Sequence, residues 1–301
     1  MLNFKTYGAI DIGSNAVRLL ISNIIESDTE ATQFKKRSLV RVPIRLGADV
    51  FVGGSISKYN ETRMLDTMKA FSLLIKSHGV EKYKACATSA MREASNGKEI
   101  TEKVRAHCGI EIDIIGGEEE AAIIAATDLN SYIDPNKTYL YVDVGGGSTE
   151  FSVIHQAKKI TSKSFKIGTV RLLNNMVSET MWNEVEQWIK SEASHFDQIA
   201  LIGSGGNINK IFKESGIDQR KPMSFFYLTN YYNMLQSLSY DERITKLSLN
   251  IDRADVIIPA SKIYLSSMKW SGARDIYVPK IGLSDGIIKS IYHDTVASVK
   301  I

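Results

Sequence analysis

The chain has 301 residues, enough for two core-bearing domains because single cores stop growing at roughly 250–300 residues. Its 37 Lys and Arg against 34 Asp and Glu leave a formal charge of +3, too mild a surplus to argue for nucleic acid or a membrane surface. With two cysteines, no signal-like start and no apolar run near the ~20 residues of a membrane span, a reduced cytoplasmic setting with buried thiols is expected.

The first element is an apolar strand, Tyr7 to Ile12, that carries Asp11. Gly13-Ser14-Asn15 turn the chain, and Val17 to Ile21 return as a second strand. The short basic runs Lys35-Lys36-Arg37 and Lys158-Lys159 read as solvated turns. Leu39 to Leu46 reads as a strand interrupted by Pro43, which suits an edge or a bulge. Ser57 is a plausible N-cap for a helix whose stripe Met64, Leu65, Met68, Phe71, Leu74 and Ile75 is core packing, stopped by Gly79. Tyr83 to Ala87 is a short strand leading into Thr88-Ser89-Ala90-Met91-Arg92-Glu93-Ala94. That segment is either an anion site at a strand's carboxyl end or a capped helix with a surface arginine.

Ile110 to Ile115 alternates as a strand, and Glu118-Glu119-Glu120 open a helix after Gly116-Gly117. The helix macrodipole favours acids there, so the residues alone ask for no catalytic role. The Asp134-Pro135-Asn136 turn follows, and a domain boundary is expected near residues 126–130. This divides the chain into 1–126 and 127–301, with the final helix, 287–301, a candidate to return to the first part.

The apolar run Tyr139 to Val142 then delivers Asp143, Gly145-Gly146-Gly147 turn the backbone, and Ser148-Thr149-Glu150 begin a returning strand. Three adjacent glycines let the backbone approach a ligand, and their N–H groups can form an anion-binding concavity. Asp143 and Gly145 stand 132 residues after Asp11 and Gly13, and the strand residues Phe151 and Val153 follow Leu19 and Ile21 at the same offset. Two hairpins in one register suggest a duplicated fold whose halves each present a phosphate loop. Further on come a helix at Met181 to Ile189 and a buried strand, Ile199 to Ile202. The strand ends in a third glycine loop, Gly203-Ser204-Gly205-Gly206-Asn207. A helix from Arg253, kinked or reset at Pro259, a strand at Ile276-Tyr277-Val278 and a last helix after Gly282 complete the pattern, which is α/β throughout. Neither zinc-type ligand spacing nor a catalytic histidine pair is evident.

These segments, in this order, resemble the exopolyphosphatase and guanosine pentaphosphate phosphohydrolase family of the actin-like superfamily. The match rests on Asp11-Ile12-Gly13-Ser14-Asn15, Ala87 to Ala94, Gly117-Glu118-Glu119-Glu120-Ala121 and Asp143 to Glu150. It continues in Gly168-Thr169-Val170-Arg171-Leu172, Gly203-Ser204-Gly205-Gly206 and Arg253-Ala254-Asp255. The resemblance implies an α/β fold of duplicated actin-like (ribonuclease H-like) lobes with an interlobe cleft. It implies Glu120 as general base, Arg92 on the phosphate under attack, and Asp143 and Glu150 as holders of Mg²⁺ and the nucleophile. The phosphate-binding set would be Asp11, Gly13, Ser14, Asn15, Gly145, Gly146, Gly147, Ser148, Gly205 and Gly206.

Three departures bear on that expectation. Longer members carry C-terminal helical domains where this sequence stops after two lobes, which points to short polyphosphate chains. Many relatives read Leu-Arg-Glu-Gly at Leu283-Ser284-Asp285-Gly286, and Asn207 stands where threonine is usual. The expected substrates are inorganic polyphosphate or guanosine pentaphosphate, with no nucleic acid or membrane partner and a homodimer as a candidate assembly. The rivals are a non-catalytic sensor of an alarmone or polyphosphate and a phosphotransferase using the same loops.

Overall fold

The computed structural model describes residues 2–125, 127 and 134–299. The chain divides into two compact units, Met1–Thr127 with Leu283–Ile301, and Asp128–Gly282.

In the first unit, β1 (Leu2–Ile12), β2 (Val17–Ser27) and β3 (Gln33–Val42) form a meander, followed by α1 (Leu46–Gly53) and α2 (Lys58–Ser77). Then come β4 (Lys82–Ala87), α3 (Ser89–Glu93), α4 (Gly97–Cys108), β5 (Ile112–Ile114) and α5 (Gly117–Ala125). The sheet runs β3-β2-β1-β4-β5, with β4 and β5 parallel to β1. Ile10, Ile12, Leu19, Ile21 and Ile24 are fully buried in it.

In the second unit the order is β6 (Thr138–Val144), β7 (Thr149–His155), β8 (Lys158–Phe165), α6 (Thr169–Leu173) and α7 (Glu179–Ala193). It continues through β9 (Ile199–Ser204), α8 (Gly206–Glu214), β10 (Met223–Ser224), α9 (Phe225–Ser237), α10 (Tyr240–Leu247), α11 (Ile251–Ala254), α12 (Ile257–Ser271) and β11 (Asp275–Tyr277). The last helix, α13 (Leu283–Val299), belongs to the first unit and packs on α5, β1, β2 and β4. The second sheet runs β10-β11-β9-β6-β7-β8. Read from β8 inward it repeats the first sheet strand for strand, with β10 as one added edge. Both hairpins close in one register: Ile12 faces Val17 and Val144 faces Thr149, each across a loop of equal length.

Several elements differ from the sequence reading. The expected strand at 39–46 ends at Val42, because Pro43 has no N–H for the ladder, and Leu46 already starts α1. The basic runs are not turns. Lys35-Lys36-Arg37 lie in β3 and Lys158-Lys159 in β8, and both are edge strands, where exposed cations discourage pairing with another chain. Pro259 sits in the first turn of α12, where a missing N–H costs no helical bond, so the helix resets before it rather than kinking. Cys86 is buried but Cys108 is only half-buried.

Ser57 caps α2 by accepting from the Asn60 amide at 3.3 Å. Ser57→Ala is expected to cost about 1 kcal/mol of unfolding free energy. Urea titration, comparing midpoints at an unchanged slope, checks this.

Candidate active site

In the first unit the chemistry gathers at the carboxyl ends of β1, β4 and β5. Asp11 and Arg18 are directly opposed across the β1–β2 hairpin, and Arg18 Nη1 donates to Asp11 Oδ2 at 2.6 Å. Asp11 therefore serves this unit as the anchor of an arginine. The turn below is fixed from two sides: the Gly47 amide donates to Ser14 O at 2.7 Å and the Arg45 amide to Asn15 O at 3.0 Å. Ser14 Oγ and Ser89 Oγ share a buried hydrogen bond of 2.9 Å, which ties the hairpin loop to the start of α3.

Arg92, on the last turn of α3, is exposed and donates from Nη1 to Ile115 O at 2.6 Å. That bond uses one of the guanidinium's five donors and clamps the arginine to the segment that leads into α5. Glu120 is in the first turn of α5, half-buried, with its amide donating to Gly116 O at 2.9 Å. Thus Ser14, Ser89, Arg92 and the approach to Glu120 form one bonded series within the unit. Beside it on β4, burial pushes the Cys86 thiol up to about 12, which makes it an inert core group.

In the second unit Asp143 and Glu150 are directly opposed across β6–β7, the row that Asp11 and Arg18 occupy in the first. Glu150 is 2% exposed, and its Oε1 accepts from Ser148 Oγ at 2.6 Å and from Ser164 Oγ at 3.0 Å. The loop between them is held by its own backbone. Gly145 N–H donates to Ser148 O at 3.0 Å, while the amides of Thr169 and Val170 donate to Gly145 O and Gly146 O at 3.0 and 2.9 Å. Arg171, buried in α6, donates from Nε to Gly147 O at 2.8 Å. Carbonyls engaged from below leave the loop's orientation over-determined, the preorganisation that anion binding needs. The Gly168 to Leu172 motif does not reveal this role by itself, because the bonds are tertiary.

The third glycine loop follows β9, whose Ser204 is the Cα partner of Asp143. Gly205 has φ 119, a conformation that side chains rarely adopt, and a Cβ there would stand 3.1 Å from Val144 O and 3.6 Å from Asp143 Oδ1. Tyr141 and Tyr264 are buried beside Asp143. Desolvation first, and then that carboxylate, pushes both phenols well above their usual range.

Among the described residues, no group of three or more His, Cys, Asp or Glu could hold a metal on its own. The Asp143–Glu150 pair still suits Mg²⁺, which binds through one or two hard carboxylates and takes its other ligands from water and phosphate. At the Leu283–Gly286 departure, Ser284 is buried at the start of α13 and Asp285 pairs with Lys36 of β3 at 2.8 Å. No described helix is long and apolar enough to cross a membrane.

A family model described as the Ppx/GppA phosphatase family matches residues 28–201. The chain is 32% identical over 215 residues to a bifunctional 3-dehydroquinate synthase/phosphatase of Fusobacterium nucleatum, covering 66% of this chain and 32% of that protein. It is 28% identical to exopolyphosphatase 1 of Mycobacterium tuberculosis, covering 93% of this chain and 86% of that protein. The crystal structure of an exopolyphosphatase from Cytophaga hutchinsonii superposes with TM-score 0.82 at 21% identity, covering 96% of this chain and 98% of that chain. The fold is therefore the α/β, duplicated actin-like one.

Proposed function

The chain belongs to the Ppx/GppA phosphatase family, and on that premise we propose that it is a Mg²⁺-dependent phosphohydrolase. Its substrate would be a phosphoanhydride, short inorganic polyphosphate or guanosine pentaphosphate, from which it releases the terminal phosphate. The observation that carries this reading is the opposition of Asp143 and Glu150 at the base of a backbone-pinned glycine loop. A loop of amides suits phosphate oxygens, and two carboxylates beside it suit a cation that joins them to a polyanion.

Glu120 takes the proton of a water molecule whose oxygen forms the new bond to the terminal phosphorus, while the bridging oxygen leaves with the shortened chain. Arg92, held by Ile115 O, keeps positive charge on the phosphoryl group under attack. The Ser14–Asn15 turn of the first unit and the amides of Gly145, Gly146 and Gly147 of the second would each suit phosphate oxygens, and Asp143 and Glu150 would hold the metal. When bound, Mg²⁺ neutralises charge that develops on the phosphoryl oxygens. The retained carboxylates favour catalysis over a pure sensor, since a binder of polyanions gains little from acids beside its phosphates.

The test is phosphate release from polyphosphate and from guanosine pentaphosphate. Release from at least one is expected, lost to a chelator and restored by Mg²⁺. Release that persists in the chelator removes the metal from the reading. Tight calorimetric binding of either anion without release points to the sensor, and ADP formation that requires an acceptor points to a phosphotransferase.

A further inference from the structure

The third strand of each unit meets the returning strand in one register. Val42 pairs with Val17 as Phe165 pairs with Thr149, and one step along the ladder Arg41 pairs with Arg18 as Ser164 pairs with Glu150. The chain then turns alike in both. Ile44 N–H donates to Val42 O and Ile167 N–H to Phe165 O, and both isoleucines are buried. Further on, Gly47 N–H reaches Ser14 O as Val170 N–H reaches Gly146 O. The duplication therefore extends past the hairpins to a brace under each loop. It equates Arg41 with Ser164, and Arg45, the N-cap of α1, with Gly168, the N-cap of α6.

Equivalent positions differ in charge. Where the second unit has Asp143, Glu150 and Ser164 in one row, the first has Asp11, Arg18 and Arg41, and Asp11 is engaged by Arg18. Arg45 follows in the brace, its amide on Asn15 O at 3.0 Å. Lys35, Lys36 and Arg37, farther along β3, are exposed as edge protection requires, but Arg18, Arg41 and Arg45 are half-buried. Arg45 also holds φ 64 and ψ 40, a left-handed conformation that persists only where the surroundings over-determine it and that gathers at ligand sites. Here Arg63 of α2 supplies that constraint, donating to Pro43 O at 2.9 Å and to Ile44 O at 3.1 Å, in the backbone between the two arginines. Like charges opposed across a ladder and drawn partly out of water are costly, and an anion beside them removes the cost.

From this geometry we propose that Arg41 and Arg45 form a phosphate subsite of the first unit, beside the Ser14–Asn15 turn, that takes a further phosphate group of a phosphoanhydride chain. Guanidinium forks match its non-bridging oxygens and carry charge that the second unit's brace, with Ser164 and Gly168, does not.

The subsite rests on the phosphoanhydride reading for its ligand, but binding is measured apart from turnover. Calorimetry of the full chain with inorganic tripolyphosphate, in a chelator so that no metal contributes, is expected to give a Kd that rises about tenfold in Arg41→Gln, the loss of one charge-assisted contact. A further rise of about tenfold is expected in the Arg41→Gln/Arg45→Gln double variant. Arg41→Lys/Arg45→Lys, which keeps the charge, should recover part of that loss. Lys35→Gln/Arg37→Gln removes as much charge from the exposed part of the strand and should leave Kd within about twofold. An equal rise in that control assigns the effect to overall charge and overturns the subsite. Unchanged Kd in the arginine variants, or no binding by the wild type, also overturns it. Where thermal melting shows the double variant unfolded, Arg41→Gln alone decides. Weakened binding in the arginine variants with no phosphate release by the wild type keeps the subsite and defeats the hydrolytic reading. Release by the arginine variants at wild-type KM does the reverse.

Discussion

Glu120→Gln is expected to lower phosphate release about 10²–10⁴-fold while the substrate's dissociation constant stays within about twofold. The substitution keeps the side chain's length and shape in the first turn of α5 and removes only its capacity to take a proton. An orienting role alone would survive, because an amide oxygen still accepts a hydrogen bond from water. Steady-state phosphate release with calorimetric binding of the same polyanion separates the two effects. Turnover equal to that of wild type would remove Glu120 from the role of base.

Gly168→Ala is expected to have the second large effect, and its cause is purely steric. A Cβ at this position would stand 2.4 Å from both the carbonyl carbon and the oxygen of Gly146 and 2.6 Å from the carbonyl carbon of Gly147. All three are backbone atoms, held by Val170 N–H and Arg171 Nε from the same segment that would be pushed away. Neither partner is a flexible side-chain end that could swing aside. Overpacking of this kind costs about 1–3 kcal/mol, and a loop displaced by about 1 Å forfeits up to about a hundredfold in turnover. Denaturant unfolding and phosphate release on the same preparation check both. A variant with wild-type values in each would show that the loop and α6 do not approach so closely.

The hairpins were legible in the sequence because strand alternation and glycine turns are local signals, and their repetition at one offset gave the duplication. The same locality explains what was missed. The residues Lys35-Lys36-Arg37 look like a turn in isolation; only the sheet order shows that they occupy an edge strand, where charge is protective. α1 was hidden because its first residue, Leu46, also ends the alternating segment Leu39 to Leu46 around Pro43, and α4 buries little beyond Gly97, Ile100 and Val104, too thin a stripe to stand out. Asp11 illustrates the limit at the site. Its spacing equated it with Asp143, yet its cross-strand partner is arginine where Asp143 faces glutamate, so equivalent positions carry opposite charge. The contacts of Arg171 and Tyr264 join segments far apart in the chain, and no window of sequence contains them.

The return of α13 to the first unit also sets an order of assembly. Ile287 and Ile288 are buried against a sheet whose strands lie within the first 114 residues, and Gly286 lies where a methyl would meet Ile123 O at 2.2 Å. The second unit draws on one continuous stretch, Asp128–Gly282. On the ribosome, where domains usually fold in the order they emerge, the lobe synthesised first is thus the lobe completed last. Its nascent sheet carries an uncovered apolar face throughout translation of the other lobe, the interval in which a chaperone has most to protect.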